Sequence, residues 1–483
     1  MLTATALPLR LDRRATTPLG VQIAAQVRGL LTDGVLAAGA RLPSVRALAA
    51  ELGVARAVVE QAYDQLHAEG WTATRRGAGT FVAAVGPRPD AGRRDSAPAG
   101  RGRDAAAGPG AAAVAPGRGD SAKAAGVPGA RRVSLDTGTP WVDERLRAGW
   151  RRAWRDVAAA RPPQGYLDAA GLPELRAELA GYVARTRGVV CSPAEVMVTS
   201  GTTHALRLLL ATLGPGAVAA EDPGYRAAVA TVRQSGRRVF DVPVDEDGAD
   251  TAALDGAPDD LCAIYVTPAH QHPLGHTMSA RRRLALLAQA RRLEAVVVED
   301  DYDAQFRYDV APLPALASLD RDRVVHLGTV SKTLQASLRL GWLVGPEPLV
   351  ARIAADRLAV HDHPSWPQQR ALLSMLREGH LDKSVRAARR VYAERGELVA
   401  ARLARHARLL GPVAGMYATL LLPERVAAAV VADCAAAGLD VPPLGDYARS
   451  SGRSGIVVGF GGIADDELAW ALDVLSAALA RRR

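Results

Sequence analysis

Lysine is nearly missing from this chain. Of its 60 basic residues only Lys123, Lys332 and Lys383 are not arginine. A guanidinium stays protonated and cannot attack a carbonyl, whereas a desolvated lysine amine can form a Schiff base. Lysine is therefore kept for a purpose arginine cannot serve. Cysteine is equally scarce. Cys191, Cys262 and Cys434 are scattered without metal-ligand spacing, so no metal site is expected, and reduced thiols in a cytoplasmic protein are. No uncharged apolar run approaches the ~20 residues that span a bilayer. The N-terminus lacks the apolar core of a signal peptide, so no membrane partner is expected. There are no internal repeats. At 483 residues the chain has room for two or three domains.

Lys123 sits in a Gly/Ala/Pro tract and Lys383 in a polar helical pattern. Lys332 alone lies in a Gly-Thr-Val-Ser-Lys-Thr turn after the apolar run Val324–Leu327. Upstream, Ala295–Val298 is a β-branched run that reads as a buried parallel strand, and it ends in Glu299, Asp300, Asp301 and Tyr302. Ligands of open α/β sheets bind beyond the carboxyl ends of strands, so an amine and a carboxylate fall together on the ligand side. Pyridoxal phosphate (PLP) needs this set: a Lys for its aldehyde, an Asp for its pyridine nitrogen and donors for its phosphate. The strand Val196–Thr199 turns through Ser200-Gly201-Thr202-Thr203 into a helix whose N-terminus suits an anion. Thr329, Ser331 and Arg339 add hydroxyls and a bidentate guanidinium, and Tyr225 can stack on a planar ring.

From about residue 134 to 483, the strings Thr-Ser-Gly-Thr, Glu-Asp-Pro-Gly-Tyr, Thr-Pro-Ala-His-Gln-His-Pro-Leu-Gly, Glu-Asp-Asp-Tyr-Asp and Gly-Thr-Val-Ser-Lys-Thr-Leu resemble fold-type-I aminotransferases, in the version found in MocR-type transcriptional regulators. The resemblance implies an α/β main domain with a mostly parallel seven-stranded sheet and a small C-terminal α+β subdomain, about 390–483, entered by a long helix beginning near Arg386. It makes Lys332 the Schiff-base lysine and Asp300 the partner of the pyridine nitrogen. Tyr302 would lie near the ring hydroxyl and Tyr225 would stack on the ring. Thr202, Thr203, Thr329, Ser331 and Arg339 would hold the phosphate. Two departures concern the substrate side. Aminotransferases place a carboxylate-binding Arg near the chain's end, but Gly455–Gly461 contains none, and Arg453 lies just before it. His272 stands where the Asn-Pro-Thr-Gly motif has Asn. His272 and Arg453 are thus the candidate effector contacts.

The N-terminal segment has its own pattern. A helical period over Pro18–Leu36 is broken by Gly34 and Gly39. Ser44 then caps a short helix, Val45–Leu52, that Gly53 ends, and a third helix carries Val58, Val59, Ala62, Tyr63 and Leu66 on one face. This is a helix-turn-helix order, and Trp71–Val82 alternates around glycines like a hairpin wing. The strings Arg-Leu-Pro-Ser-Val-Arg-Ala-Leu-Ala and Gly-Ala-Gly-Thr-Phe-Val resemble the winged helix-turn-helix of GntR-type regulators over residues 10–85. The resemblance implies double-stranded DNA contacts at Arg41, Ser44, Arg46, Arg56, Gly77, Gly79 and Thr80. Such domains usually open the recognition helix with Ser-Arg, where this chain has Ala55-Arg56.

Between the halves, residues 86–133 are rich in Ala, Gly, Pro and Arg and contain no aromatic residue, a composition that reads as a flexible tether. Residues 1–85 carry nine arginines against six acids, the tract nine basic against four acidic residues, and the remainder 42 against 41. A basic tether attracts phosphates; an Arg- and Ala-rich coding bias accounts for it equally. Taken together, the expectation is a dimeric, domain-swapped regulator whose PLP domain senses rather than metabolises, with at most weak transaminase activity. Its signal is either PLP itself, controlling vitamin B6 genes, or an amine such as a γ-amino acid, taurine or an ectoine-like metabolite. A working aminotransferase, and a regulator with a dead pocket, are the competing readings.

Overall fold

The computed structural model describes residues 7–14, 18–33, 35–75, 79–83, 132–142, 147–308, 314–411 and 413–482. The 86–131 stretch of the expected tether and the wing tip with Gly77 lie outside the described residues.

The head is built from local signals. Its first helix, Leu19–Thr32, buries Ile23, Ala24 and Val27. The second, Val45–Leu52, starts where the Ser44 side chain accepts the Ala47 amide at 3.1 Å and stops at left-handed Gly53. The third, Arg56–Ala68, begins after Ala55 with no side-chain cap. Strands Thr72–Arg75 and Gly79–Val82 pair antiparallel as the wing. Leu42, Leu48, Val59, Leu66 and Trp71 close a small core among these elements.

In the body, buried strands alternate with helices, which yields a parallel sheet with covered faces. Across the sheet the strands run Val196–Thr199, Gly341–Val344, Val324–Thr329, Val296–Asp301, Leu261–Val266, Ala217–Asp222, Val239–Asp245 and Gly248–Ala249. Gly341–Val344 is antiparallel to both of its neighbours, and two-residue Gly248–Ala249 pairs antiparallel at the far edge. That short edge makes eight strands where seven were expected. The other pairings are parallel, so Thr199, Asp222, Val266, Asp301 and Thr329 all end at one rim.

The C-terminal part packs the three-stranded sheet Leu409–Leu410, Tyr417–Leu421 and Gly455–Gly459 against helices Glu424–Ala436 and Asp465–Ala480. Its entry helix is His380–Leu403, six residues earlier than the sequence pattern indicated. A further pair, Val133–Ser134 with Leu439–Asp440, runs parallel and brings the start of the body into this subdomain. Two-residue strands three hundred positions apart leave no local signature.

Head and body touch. The Ala280 amide, opening helix Ala280–Arg292, donates to the Glu69 carbonyl at 2.9 Å. Ala280 is buried within the head's own apolar core, with Leu284 and Leu319 packed beside it. Behind this contact the buried Arg28 guanidinium grips both Glu69 carboxylate oxygens at 2.8 Å.

Candidate functional site

The rim of the body sheet opens into a cleft lined by Thr202, Thr203, Tyr225, His272, Asp300, Tyr302, Thr329, Ser331, Lys332 and Arg339. Lys332 lies three residues beyond the strand end at Thr329, and its Nζ donates to the Gly138 carbonyl. Gly138 is held in turn by Asp136, whose carboxylate accepts the Gly138 amide at 2.9 Å and the Thr139 hydroxyl at 2.8 Å.

Asp300 and Asp301 are separated by strand alternation, which sends neighbours to opposite faces. Asp301 pairs with Arg187, away from the cleft. Asp300 lines the cleft, and its Oδ2 accepts the Tyr265 hydroxyl. Its other oxygen, Oδ1, is buried without a partner. Burial pushes the Asp300 carboxyl up to about 7 against the pull of hydrogen bonds from the Tyr265 and Thr202 hydroxyls.

His272 stands edge-on to the rings of Tyr225, Tyr302, Tyr417 and Tyr447, at 5.2–5.9 Å between centroids. Burial and the nearby Lys332 charge push it down to about 3, so it is a neutral imidazole, and its Nδ1 is buried with no partner. The Tyr302 hydroxyl donates to the His270 carbonyl at 2.9 Å and meets the Tyr417 hydroxyl at 2.8 Å.

Also on the cleft wall, Gly201 (φ +103°) precedes helix Thr202–Thr212 with no side-chain cap, leaving first-turn amides open to an anion. Arg339 adopts φ +51°, a conformation uncommon outside glycine, and its Nη2 would lie 3.5 Å from a Cβ at Gly201. Thr329 donates to the Ser331 hydroxyl at 2.9 Å.

These groups fit PLP. An orphaned carboxylate oxygen awaits the ring nitrogen, a helix start with threonines and a guanidinium awaits a dianion, and an amine lies at a third corner. Arg453 is not brought here. It donates to the Val244 carbonyl at 2.8 Å, at the end of a strand near the sheet edge, so its place just before a core strand in sequence misled the expectation of an effector contact. Thr137 and Gly138 of the cleft wall and the Tyr265 hydroxyl lie outside the motifs visible in the sequence, whereas Thr267 opens one of them. Of the first three, only the glycine of the Gly138 turn carries any signal.

The head presents a second face. Arg41, Arg46 and Arg56 are exposed. Arg46 stands on the helix before the turn and Arg56 opens the helix after it. The Arg41 Nε would lie 3.2 Å from a Cβ at Gly79, whose φ of +107° favours glycine. Thr80 follows on the wing strand opposite Thr74. Ser44 Oγ is engaged in its cap, and the Tyr63 hydroxyl fixes the loop before it through the Pro43 carbonyl at 2.9 Å.

Comparison with known proteins assigns both parts. Residues 19–82 match the model of bacterial regulatory proteins of the gntR family, and residues 133–447 match aminotransferase class I and II. The chain is 34% identical over 477 residues, 98% of both proteins, to the HTH-type pyridoxine biosynthesis transcriptional regulator PdxR of Corynebacterium glutamicum. It is 35% identical over 401 residues to the probable rhizopine catabolism regulatory protein MocR of Rhizobium meliloti, covering 82% of this chain and 80% of that one. This chain belongs to the MocR-type GntR regulators. The body of this MocR-type protein superposes on an archaeal alanine:glyoxylate aminotransferase with a TM-score of 0.67 and 27% identity, over 74% of this chain and 92% of that one. Its cofactor is PLP. No helix among the described residues is long and apolar enough to cross a membrane, and they contain no cluster of side chains suited to a metal ion.

Proposed function

We propose that this MocR-type regulator acts in the cytoplasm as a sensor of PLP itself and controls vitamin B6 synthesis or salvage, with at most slow turnover of amino acids. One observation carries the reading. Among the described residues lining the cleft, Lys332 and Arg339 are the only cations, and His272 is neutral. The lysine is committed to the aldehyde and the arginine to the phosphate. No guanidinium is left for the carboxylate of an amino-acid substrate, and the strand Gly455–Gly459 is buried and apolar throughout. The similarity to a pyridoxine biosynthesis regulator along nearly the whole chain supports the class of target gene.

When bound, PLP supplies an electrophilic carbonyl and an electron-withdrawing ring. Lys332 would offer the amine, Asp300 Oδ1 would accept a hydrogen bond from the ring nitrogen, and Tyr225 would wall the ring. The turn at Gly201 with Thr202, Thr203, Thr329, Ser331 and Arg339 takes the phosphate. Arg41, Ser44, Arg46, Arg56, Gly79 and Thr80 form the face for double-stranded DNA, with exposed guanidiniums suited to phosphates and guanine edges.

The two sites share a polypeptide segment. Thr267 and His272 line the cleft, and eight residues past His272 comes Ala280, which meets Glu69 of the head. Buried Arg283 braces this segment, donating to the carbonyls of Met278 at 3.0 Å, Pro268 at 3.1 Å and Pro314 at 2.9 Å. Occupancy that favours one position of the Thr267–Ala280 segment thereby favours one seating of the head, which is what a ligand must do to shift an equilibrium.

Assembly is a dimer. Tyr166, Leu358 and Val360 are exposed apolar side chains that suit burial against a second copy, and Tyr166 stacks 4.9 Å from the His363 ring. The 48 residues of 84–131 can reach ~160 Å at full extension, enough for the head of one chain to seat on the Ala280 face of its partner. The test is footprinting on the DNA upstream of the protein's own gene with PLP alone, then with added γ-aminobutyrate or taurine. PLP alone should alter protection. A footprint that answers only to an amine would replace this reading with amine sensing.

A further inference from the structure

The gntR-family match begins at residue 19, yet an ordered arm precedes it. Leu7 is 5% exposed, and Leu9 and Leu11 pack against the head core, while Pro8, Arg10 and Asp12 face outward. This is the period of an extended strand. Two glutamines of the first helix hold it. Gln26 accepts the Arg10 amide at 2.8 Å and donates to the Arg10 carbonyl at 2.7 Å. Gln22 does the same for Asp12, at 2.9 Å each way. The spacing explains the match: four helical residues rise ~6 Å, close to two residues of strand. Side-chain amides thus stand in for a neighbouring strand.

The clipped arm has a direction. It runs from Gln26 towards the start of the first helix and ends where Arg13 Nη2 donates to the carbonyls of Leu52 and Gly53, at 3.2 and 2.8 Å. That turn leads into the third helix, whose first residue, Arg56, comes three positions after Gly53. The first helix converges there too, since a Cβ at Gly20 would lie 3.1 Å from the Val58 carbonyl. Asp12 Oδ1 accepts the Arg14 amide at 2.8 Å, fixing the backbone at Arg14. The Arg14 side chain is exposed and has no hydrogen-bond or ion-pair partner among the described residues.

We infer that the Leu7–Arg14 arm is a further DNA-contacting element of the head, with Arg14 meeting a backbone phosphate beside the recognition helix and Arg13 positioning it. The inference rests on the reading of the head as a duplex-DNA binder. Phosphates flank the groove that receives a recognition helix, and a fixed backbone spares Arg14 part of the ordering cost of contact.

Anisotropy of a labelled mixed-sequence 30-bp duplex, titrated with the full chain over a range of salt, tests it. Arg14→Ala should weaken binding about threefold to tenfold at low salt and reduce the slope of log K against log salt by about 1, and Arg14→Lys should restore the slope. The double variant Gln22→Ala/Gln26→Ala frees the arm without changing charge and should also weaken binding. An unchanged slope in Arg14→Ala, with Arg46→Ala still weakened, overturns the arm alone. If the wild-type chain ignores the duplex, the DNA reading falls and the arm with it.

Discussion

In the body, the groups that carry chemistry are few, buried or half-buried and left incomplete: one lysine, one carboxylate with an orphaned oxygen and one neutral imidazole. In the head, the equivalent groups are exposed arginines on a ready-packed helical frame. The two arrangements fail differently. A buried donor set is an all-or-none device, because a polar group that loses its partner in low dielectric keeps its full desolvation penalty. An exposed cationic face is additive, because each guanidinium contributes a screened increment to phosphate binding. The Ala280–Glu69 contact is where the two logics meet.

The sharpest way to break the comparison is Lys332→Ala. The wild-type chain should retain PLP through gel filtration after borohydride treatment, and the variant should lose it entirely, while binding to mixed-sequence duplex is unchanged. Coupled loss of both properties would mean that body and head are not separate devices. Next in size is Ala280→Asp, which forces a carboxylate into the apolar seat under the head. A charge buried there without a partner costs several kcal/mol, so the head should detach and become more sensitive to limited proteolysis. PLP retention and intrinsic DNA affinity should both survive.

A pH series sharpens the account of the buried acid. The Asp300 carboxyl is raised from its ordinary value of 3.8 to about 7, so between those values the folded, unloaded chain holds a proton that the unfolded chain has released. Its stabilising share is complete below about pH 4 and disappears as pH climbs through 7. The melting temperature of the unloaded wild type, taken relative to Asp300→Asn, should therefore fall between pH 5 and 7.5, a difference that sets aside the opposite share of His272 and the parallel share of Glu221. PLP should flatten that difference, because its ring nitrogen would give the carboxylate a partner. The smallest expected effect is in the head. Ala55 precedes the recognition helix with extended geometry and no cap, so Ala55→Ser should stabilise the head by about 1 kcal/mol, read by chemical denaturation of the full chain.

Local chemistry makes much of this legible in the amino-acid sequence. Ser44 and Gly53 bound a helix for reasons of capping and left-handed backbone, and strand endings at Thr199, Asp301 and Thr329 follow from apolar runs stopping at polar residues. The turn around Lys332 reads the same way. What escaped depends on distance along the chain. Gly138 reaches Lys332 from 194 residues away, and the Tyr265 hydroxyl meets Asp300 only because two strands lie side by side. Arg453 failed in the opposite sense, being near a core strand in sequence but bonded to Val244 in space. The seat of the head on Ala280 joins two apolar patches, neither of which has a motif.

The most direct test of the central claim, that the cleft reports its cofactor to the DNA face, is duplex affinity for the protein's own upstream sequence with and without PLP, in wild type and Lys332→Ala side by side. PLP should shift the wild-type affinity and leave the variant's untouched. Equal affinities for wild type in both conditions would contradict the account.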